Sequence, residues 1–260
     1  MEVVNVKDIA YDEIGGPPTL YKYRVWDIVH HDRFIKNREV YMASPETFQD
    51  DMDCRIPVNI DELSFNEIIQ VVEDKNPSIS PEQVQNFVKE KLRPGYDTVH
   101  LLNYLDSFYN DTFSKMIGIL SLTAENHLEY MWNLYANNGK GFCIGYDTHV
   151  LFSYLGGGGP VLYGESAPVI RPTPLESIES ILVKKVLFKH KRYSREKEYR
   201  TYTVFKESDS NEKRRIQLPK EAYKKIILGE NISSNHRKEI ITAVKNNLGS
   251  IPIMDRKEIC

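Results

Sequence analysis

The apolar residues of this chain follow two periods. The change from one to the other is clearest in Met131-Trp-Asn-Leu-Tyr-Ala-Asn-Asn-Gly-Lys-Gly-Phe-Cys-Ile-Gly-Tyr-Asp147. Leu128, Met131, Trp132 and Tyr135 fall at helical spacing and predict one apolar face. Asn137, Asn138 and Gly139 tolerate left-handed backbone, so the helix is expected to stop there. Residues 141–146 then read as a short buried strand, central in its sheet, with glycines where another backbone comes close.

The same reading extends over the whole chain. Residues 19–25 alternate and are rich in aromatics, which predicts the first strand, and residues 39–44 predict the second. Between them, 25–37 reads as a helix. From 60 to 114 the pattern is helical: Phe65, Ile68, Ile69 and Val72 share a face, Ser80-Pro81-Glu82 starts a second helix, and 99–113 is apolar-periodic. Strands are predicted at 116–123, 161–163, 197–205 and 222–229, the last closing the sheet. Helices are predicted at 125–135, 148–155, 174–188 and 233–247, with Ser234 as the cap of the closing one. A polar loop spans 45–53 and a charged hairpin or loop 207–215. The outcome is an α+β fold, one domain over 1–260, with helices packed on a central mixed sheet and a helical insertion at 60–114.

Composition narrows the class. The chain has 260 residues, 41% of them apolar and 27% charged, enough for a sizeable core in a soluble protein. No apolar run approaches the roughly 18 residues of a membrane span, and the N-terminus lacks a basic-then-apolar leader, so a cytoplasmic protein with no membrane partner is expected. Cys54, Cys143 and Cys260 are odd in number and far apart, against both a disulfide framework and a thiolate zinc site. The net charge of -3 hides an acidic stretch at 50–90 and basic stretches at 184–200 and 213–215.

Three groups of residues could carry chemistry. Glu196, Glu198 and Arg200 share one face of an extended segment, and a carboxylate beside a guanidinium stays ionised, ready to oppose a developing positive charge or orient a hydroxyl. A solvated edge strand with a salt bridge explains them equally well. Asp50, Asp51 and Asp53 could gather a divalent cation, although three acids in a polar loop are more often solvated, and no metal site is assigned. The basic run 184–195 offers Lys189, Lys191, Arg192 and Arg195 to phosphates, with Tyr193 or Phe188 to stack on a base. The exposed face of a helix would account for its lysines as well. His30 and His31 lack a second ligand pair, and Cys143 lies in a buried strand, so both read as structural. Gly156-Gly-Gly-Gly-Pro160 is not a phosphate loop, because Val-Leu follows where Lys-Ser or Lys-Thr is needed.

Five stretches resemble an uncharacterised prokaryotic family, the domain of unknown function 2971. They are Leu20-Tyr-Lys-Tyr-Arg24, Ala43-Ser-Pro-Glu-Thr-Phe-Gln-Asp-Asp-Met-Asp53, the run from Met131, Tyr193-Ser-Arg-Glu-Lys-Glu-Tyr-Arg200 and Ile226-Ile-Leu-Gly-Glu230. The order of parts is more distantly similar to an ADP-ribosyltransferase-like fold. That likeness implies a cleft around NAD as a candidate substrate, with no certain cofactor, and a late glutamate holding a ribose hydroxyl as the glycosidic bond breaks. Carried onto this chain, it implies Lys22, Ser44 and Glu198 as catalytic residues. Tyr21, Arg24, Phe48, Asp50, Asp51, Trp132, Tyr135, Tyr193, Glu196 and Arg200 would bind substrate in one cleft. The chain departs from the family pattern at Gln49-Asp50-Asp51, Gly139 and Tyr193.

The expected function is an enzyme acting on an N-glycosidic bond of NAD or of nucleic acid, as a toxin or anti-phage effector. Two other readings stay open. One is a non-catalytic module that binds nucleic acid or senses a phage component; the other is a metal-dependent nuclease using the three aspartates.

Overall fold

The computed structural model describes residues 16–50, 52–91, 103, 107–206 and 209–259. Its contacts divide the chain into two compact units: residues 1–43, 118–161 and 192–260 form the first, and 44–117 with 162–191 the second. The fold is α+β with a large mixed sheet. Among the described residues no helix is long and apolar enough to cross a membrane.

The first unit holds the sheet. Its strands are β1 (Thr19–Arg24), β3 (Ile117–Thr123), β4 (Phe142–Asp147), β5 (Gly159–Pro160), β8 (Glu198–Val204), β10 (Tyr223–Leu228) and β11 (Ile253–Asp255). Among the described residues they lie in the order β11-β10-β4-β1-β3-β8-β5. β4 runs antiparallel to both β1 and β10, whereas β11 is parallel to β10. The expected central strand is therefore in place, but the 222–229 strand does not close the sheet. Strand β11 covers its outer edge, and three residues ending in Asp were too short a pattern to read. A small second sheet pairs β2 (Glu39–Tyr41) with β9 (Arg215–Gln217), the latter beginning at the last residue of the segment read as a hairpin or loop.

Strand alternation divides the apolar residues between two faces. On one face Leu20, Leu120, Leu122, Phe142, Ile144, Tyr146, Ile226 and Leu228 pack with Phe34 and with Ile240 and Val244 of the helix Ser234–Asn247. On the other, Tyr21, Tyr23, Cys143 and Ile227 pack with Met131, Trp132 and Ala136 of the helix segment beginning at Glu129. That helix ends as expected, with Asn137, Asn138 and Gly139 all at positive φ.

Three local expectations change. The helix over 25–37 is reduced to Arg33–Lys36: His30 adopts φ 72, and Ile28 and Val29 project outward, so the mixed spacing of the apolar residues marks turns rather than a helical face. The closing helix is capped by Ser233, whose hydroxyl accepts from the His236 amide, and Ser234 is the first helical residue. Tyr135 is exposed and does not complete the apolar face of its helix, which shifts to Met131 and Trp132.

The second unit packs the helices Phe65–Lys75, Pro81–Lys91 and Ile178–Leu187 around Ile56, Val58, Ile60, Ile68, Ile69, Val72, Val84 and Ile170. Ser64 and Glu67 form a capping box, and β6 (Leu162–Gly164) pairs in parallel with β7 (Phe188–His190). Of the expected helix at 99–113, residues 99–102 and 104–106 lie outside the described residues. Residues Ser107–Thr112 form a wide π-type turn and Phe113–Met116 an α-turn.

Both tryptophans, Trp26 and Trp132, belong to the first unit, so their fluorescence reports its unfolding. A Cβ on Gly141 would stand 2.1 Å from the Arg24 carbonyl oxygen, whereas one on Gly156 meets open space at φ 93. Gly141→Ala is expected to cost about 3 kcal/mol through the forced backbone shift, and Gly156→Ala about 1 kcal/mol through left-handed strain alone. Urea titration followed by tryptophan fluorescence compares the two.

Candidate functional site

Several residues of the first unit that were singled out in sequence, among them Tyr193, Arg195, Glu196, Glu198 and Arg200, lie in or just before β8, whose start meets the end of β3. Thr123 ends β3 and its hydroxyl donates to the Glu196 carbonyl at 2.7 Å, while the Ala124 amide donates to the Lys197 carbonyl at 3.1 Å. The Tyr23 hydroxyl donates to the Glu125 carbonyl at 2.9 Å, and the Trp132 indole donates to the Asn126 carbonyl at 2.9 Å. Tyr23 meets Trp132 edge to face, with centroids 5.0 Å apart. Burial pushes the Tyr23 phenol well above its ordinary pKa, so it stays a neutral donor.

Glu198 and Arg200 sit side by side on β8 because alternate residues share a face. The Arg200 Nε donates to Glu198 Oε1 at 2.8 Å and its Nη2 to Oε2 at 3.1 Å, a side-on bidentate pair. Arg200 is wholly buried and Glu198 is 6% exposed. This is not the solvated edge-strand salt bridge. Tyr199 packs against the Leu20 cluster, which puts Glu198 and Arg200 on the opposite face, with Tyr21, Tyr23 and Trp132. Glu196 is also buried.

Just before this strand, the 3₁₀ turn Lys191–Glu196 carries exposed cations over aromatic rings. The Arg192 guanidinium lies 4.7 Å from the Tyr193 ring centroid and that of Arg195 lies 5.2 Å from the Tyr130 centroid. Lys197 pairs with the Glu125 carboxylate at 2.5 Å. Tyr130 was not singled out in the sequence, because its pairing with a residue 65 positions later leaves no local pattern. The same holds for Arg256, whose guanidinium lies 5.2 Å from the Trp132 ring and pairs with Glu129 and Glu230.

The remaining candidates are placed elsewhere. Lys22 and Arg24 alternate with Tyr21 and Tyr23 and share the Leu20 face, so the sheet separates them from Glu198 and Trp132. The Lys22 ammonium donates to the Ser121 carbonyl. Tyr21 is buried, with the Lys225 ammonium 5.4 Å from its ring centroid.

In the second unit, Ser44 is a cap. Its hydroxyl donates to the Ser114 carbonyl at 3.1 Å and accepts from the Glu46 amide at 3.3 Å. The Phe48 and Asp50 carbonyls accept from Arg55, and an Asp50 carboxylate oxygen accepts from the Met52 amide at 3.0 Å. Asp51 lies outside the described residues. Asp53 is buried, with the Lys189 ammonium 3.6 Å away. Lys189 is thus an interior side chain rather than a nucleic-acid contact, because β7 turns it inward. Lys191 is exposed and pairs with Glu165 at 3.0 Å. Among the described residues, no three histidine, cysteine or acidic side chains stand close enough to hold a metal ion. Burial pushes the Cys143 thiol well up, which leaves it inert.

Residues 131–201 match the model of the family described as "Protein of unknown function (DUF2971)". The matched stretch runs from the Trp132 helix through β4 to Glu198 and Arg200. No match was found among curated proteins or among solved structures.

Two outcomes follow from these contacts. Glu198→Ala strips a buried guanidinium of its bidentate carboxylate and is expected to cost about 3 to 5 kcal/mol, whereas Glu198→Leu with Arg200→Met removes both charges and recovers most of that loss. Urea midpoints decide. The second concerns His31, whose ring N–H donates to the Val25 carbonyl and whose pKa is lowered to about 4 by burial and then by Arg24. The unfolded chain takes up that proton near the ordinary value of about 6.5. The contribution of His31 is therefore fully present above pH 6.5 and is lost as pH falls toward 4. Allowing for its partial exposure, the loss is about 1 to 2 kcal/mol, and His31→Gln flattens the stability profile over that window.

Proposed function

We propose that the chain binds a nucleotide-bearing ligand, nucleic acid or NAD, at the turn Lys191–Glu196, and that Glu198 opposes the positive charge that develops as an N-glycosidic bond of that ligand breaks. The observation that carries the reading is the juxtaposition of two exposed arginine–tyrosine pairs with a buried, bidentately held carboxylate a few residues later. Guanidinium groups match phosphate oxygens, and the rings beneath them offer surfaces on which bases stack. A carboxylate fixed on both oxygens costs no reorganisation when charge appears in front of it. The more distant likeness to ADP-ribosyltransferase-like architecture is the reason for choosing glycosidic chemistry over other reactions of nucleotides. A role as toxin or defence effector would suit such an activity.

A second reading has its own observation. Glu198 is almost fully buried against Arg200, which suits a structural pair beneath a purely binding surface. In that case the protein recognises nucleic acid without altering it.

Incubation with NAD and with single- and double-stranded DNA and RNA, followed by mass spectrometry, separates the two. Release of nicotinamide or of a base, falling by on the order of 10² to 10³ in Glu198→Gln with folding retained, is the outcome expected of the enzyme. Unchanged substrates together with a salt-dependent gel shift are expected of the binding module. In either case Arg192→Ala with Arg195→Ala is expected to weaken nucleic-acid binding and to reduce the log–log salt slope by about 2.

A further inference from the structure

The face of β1 opposite Glu198 carries a guanidinium in an unusual position. Arg24 Nη1 donates only to the carbonyl of its neighbour Tyr23, at 3.1 Å, and its guanidinium carbon lies 4.9 Å from the Phe34 ring centroid. Arg24 Nε is buried and meets no acceptor. Two other arginines of the unit show what that edge ordinarily does. Arg33 places Nε and Nη2 on the two oxygens of Glu39, at 2.7 and 3.0 Å, and Arg200 does the same with Glu198. Among the described residues no carboxylate lies in ion-pair range of Arg24. Burial lowers its pKa to about 10, and the groups that oppose the shift are the phenols of Tyr146 and Tyr135 rather than an acid.

A second cation shares this face: Lys22 and Arg24 are alternate residues of β1, and the positive charge of both disfavours protonation of His31, which stays neutral at pH 7. A desolvated guanidinium without a carboxylate is costly, and a bound anion offsets that cost. A dianion suits two adjacent cations better than a carboxylate does, and the planar Nε–Nη2 edge matches two phosphate oxygens.

We propose that Arg24, with Lys22 beside it, receives a phosphate group of a small ligand on the Leu20 face of β1, at a site separate from the turn bearing Arg192 and Arg195. This goes beyond the function proposed above and does not rest on it. The phosphate can be free or the terminal group of a nucleotide. Inorganic phosphate and AMP therefore serve as probes of the full-length chain, with sodium chloride and sodium acetate at matched ionic strength as controls. Thermal unfolding followed by tryptophan fluorescence is expected to show a saturable rise in Tm with phosphate. Tighter saturation with AMP would assign a nucleotide as the source, and equal or weaker saturation the free ion.

The response is expected to survive in Arg192→Ala/Arg195→Ala. In Arg24→Lys, which keeps the charge but loses the planar edge, the apparent Kd should rise at least about tenfold, and Arg24→Met should abolish the response. If Arg24→Met fails to fold, Arg24→Lys decides alone. The proposal is overturned if phosphate protects wild type no more than chloride or acetate does, if the Arg24 variants respond like wild type, or if the response disappears in the Arg192/Arg195 variant instead.

Discussion

The insertion of Trp132 into one face of the sheet holds the first unit in register. The ring is fully buried, meets Tyr23 of β1 edge to face, lies beneath the Arg256 guanidinium and donates to the Asn126 carbonyl in the segment that leaves β3. Strand β1 and Arg256, both distant in sequence, and the nearby segment after β3 are thereby fixed to one side chain. A buried tryptophan of this kind contributes about 3 to 5 kcal/mol relative to alanine. The tight turn after its helix depends on backbone proximity: the Gly139 amide donates to the Trp132 carbonyl, and Gly141 sits against the Arg24 carbonyl. The beginning of β8 lies against the end of β3 because the Thr123 hydroxyl and the Ala124 amide donate to the Glu196 and Lys197 carbonyls.

Alternation along β1 then governs which chemistry is available where. Tyr21 and Tyr23 join the Trp132 side, the side that also carries Glu198 and Arg200, whereas Lys22 and Arg24 face the Leu20 core. A short motif such as Leu20-Tyr-Lys-Tyr-Arg24 reads as one functional unit in sequence, yet in a strand it supplies two separate surfaces. One surface pairs a buried carboxylate with exposed arginine–tyrosine stacks. The other concentrates positive charge beside a neutral histidine. A single cleft built from all of these residues is not what the first unit presents.

Much of the fold was legible because period-two and period-3.6 segments are long in this chain. Residues 148–155 were read as a helix and form one; β1, β3 and β8 lie within stretches read as strands, and β4 runs one residue past the stretch read as a buried strand. What failed was short or set by tertiary contact. Strand β11 has three residues and exists because β10 offers it an edge; the 25–37 segment has helical composition but a left-handed His30. Of the candidate site, Glu198 with Arg200 was visible from spacing alone, since i and i+2 must share a face in a strand. The burial of Lys189 against Asp53, the capping use of Ser44 and the stacking of Arg195 on Tyr130 were not visible, because each depends on a partner far away in sequence. Lysine and serine carry no mark of whether they face water or a buried acceptor.

The central claim is that Glu198 faces the sugar of a nucleotide whose phosphates lie at Arg192 and Arg195. A crystal structure of Glu198→Gln with NAD or a short oligonucleotide soaked in tests it most directly. The account predicts phosphate density at those two guanidiniums and an anomeric carbon within about 4 Å of the residue-198 side chain, close to the distance of a near-attack arrangement. Ligand density that avoids the turn, or that leaves the sugar on the far side of the sheet from residue 198, would contradict it.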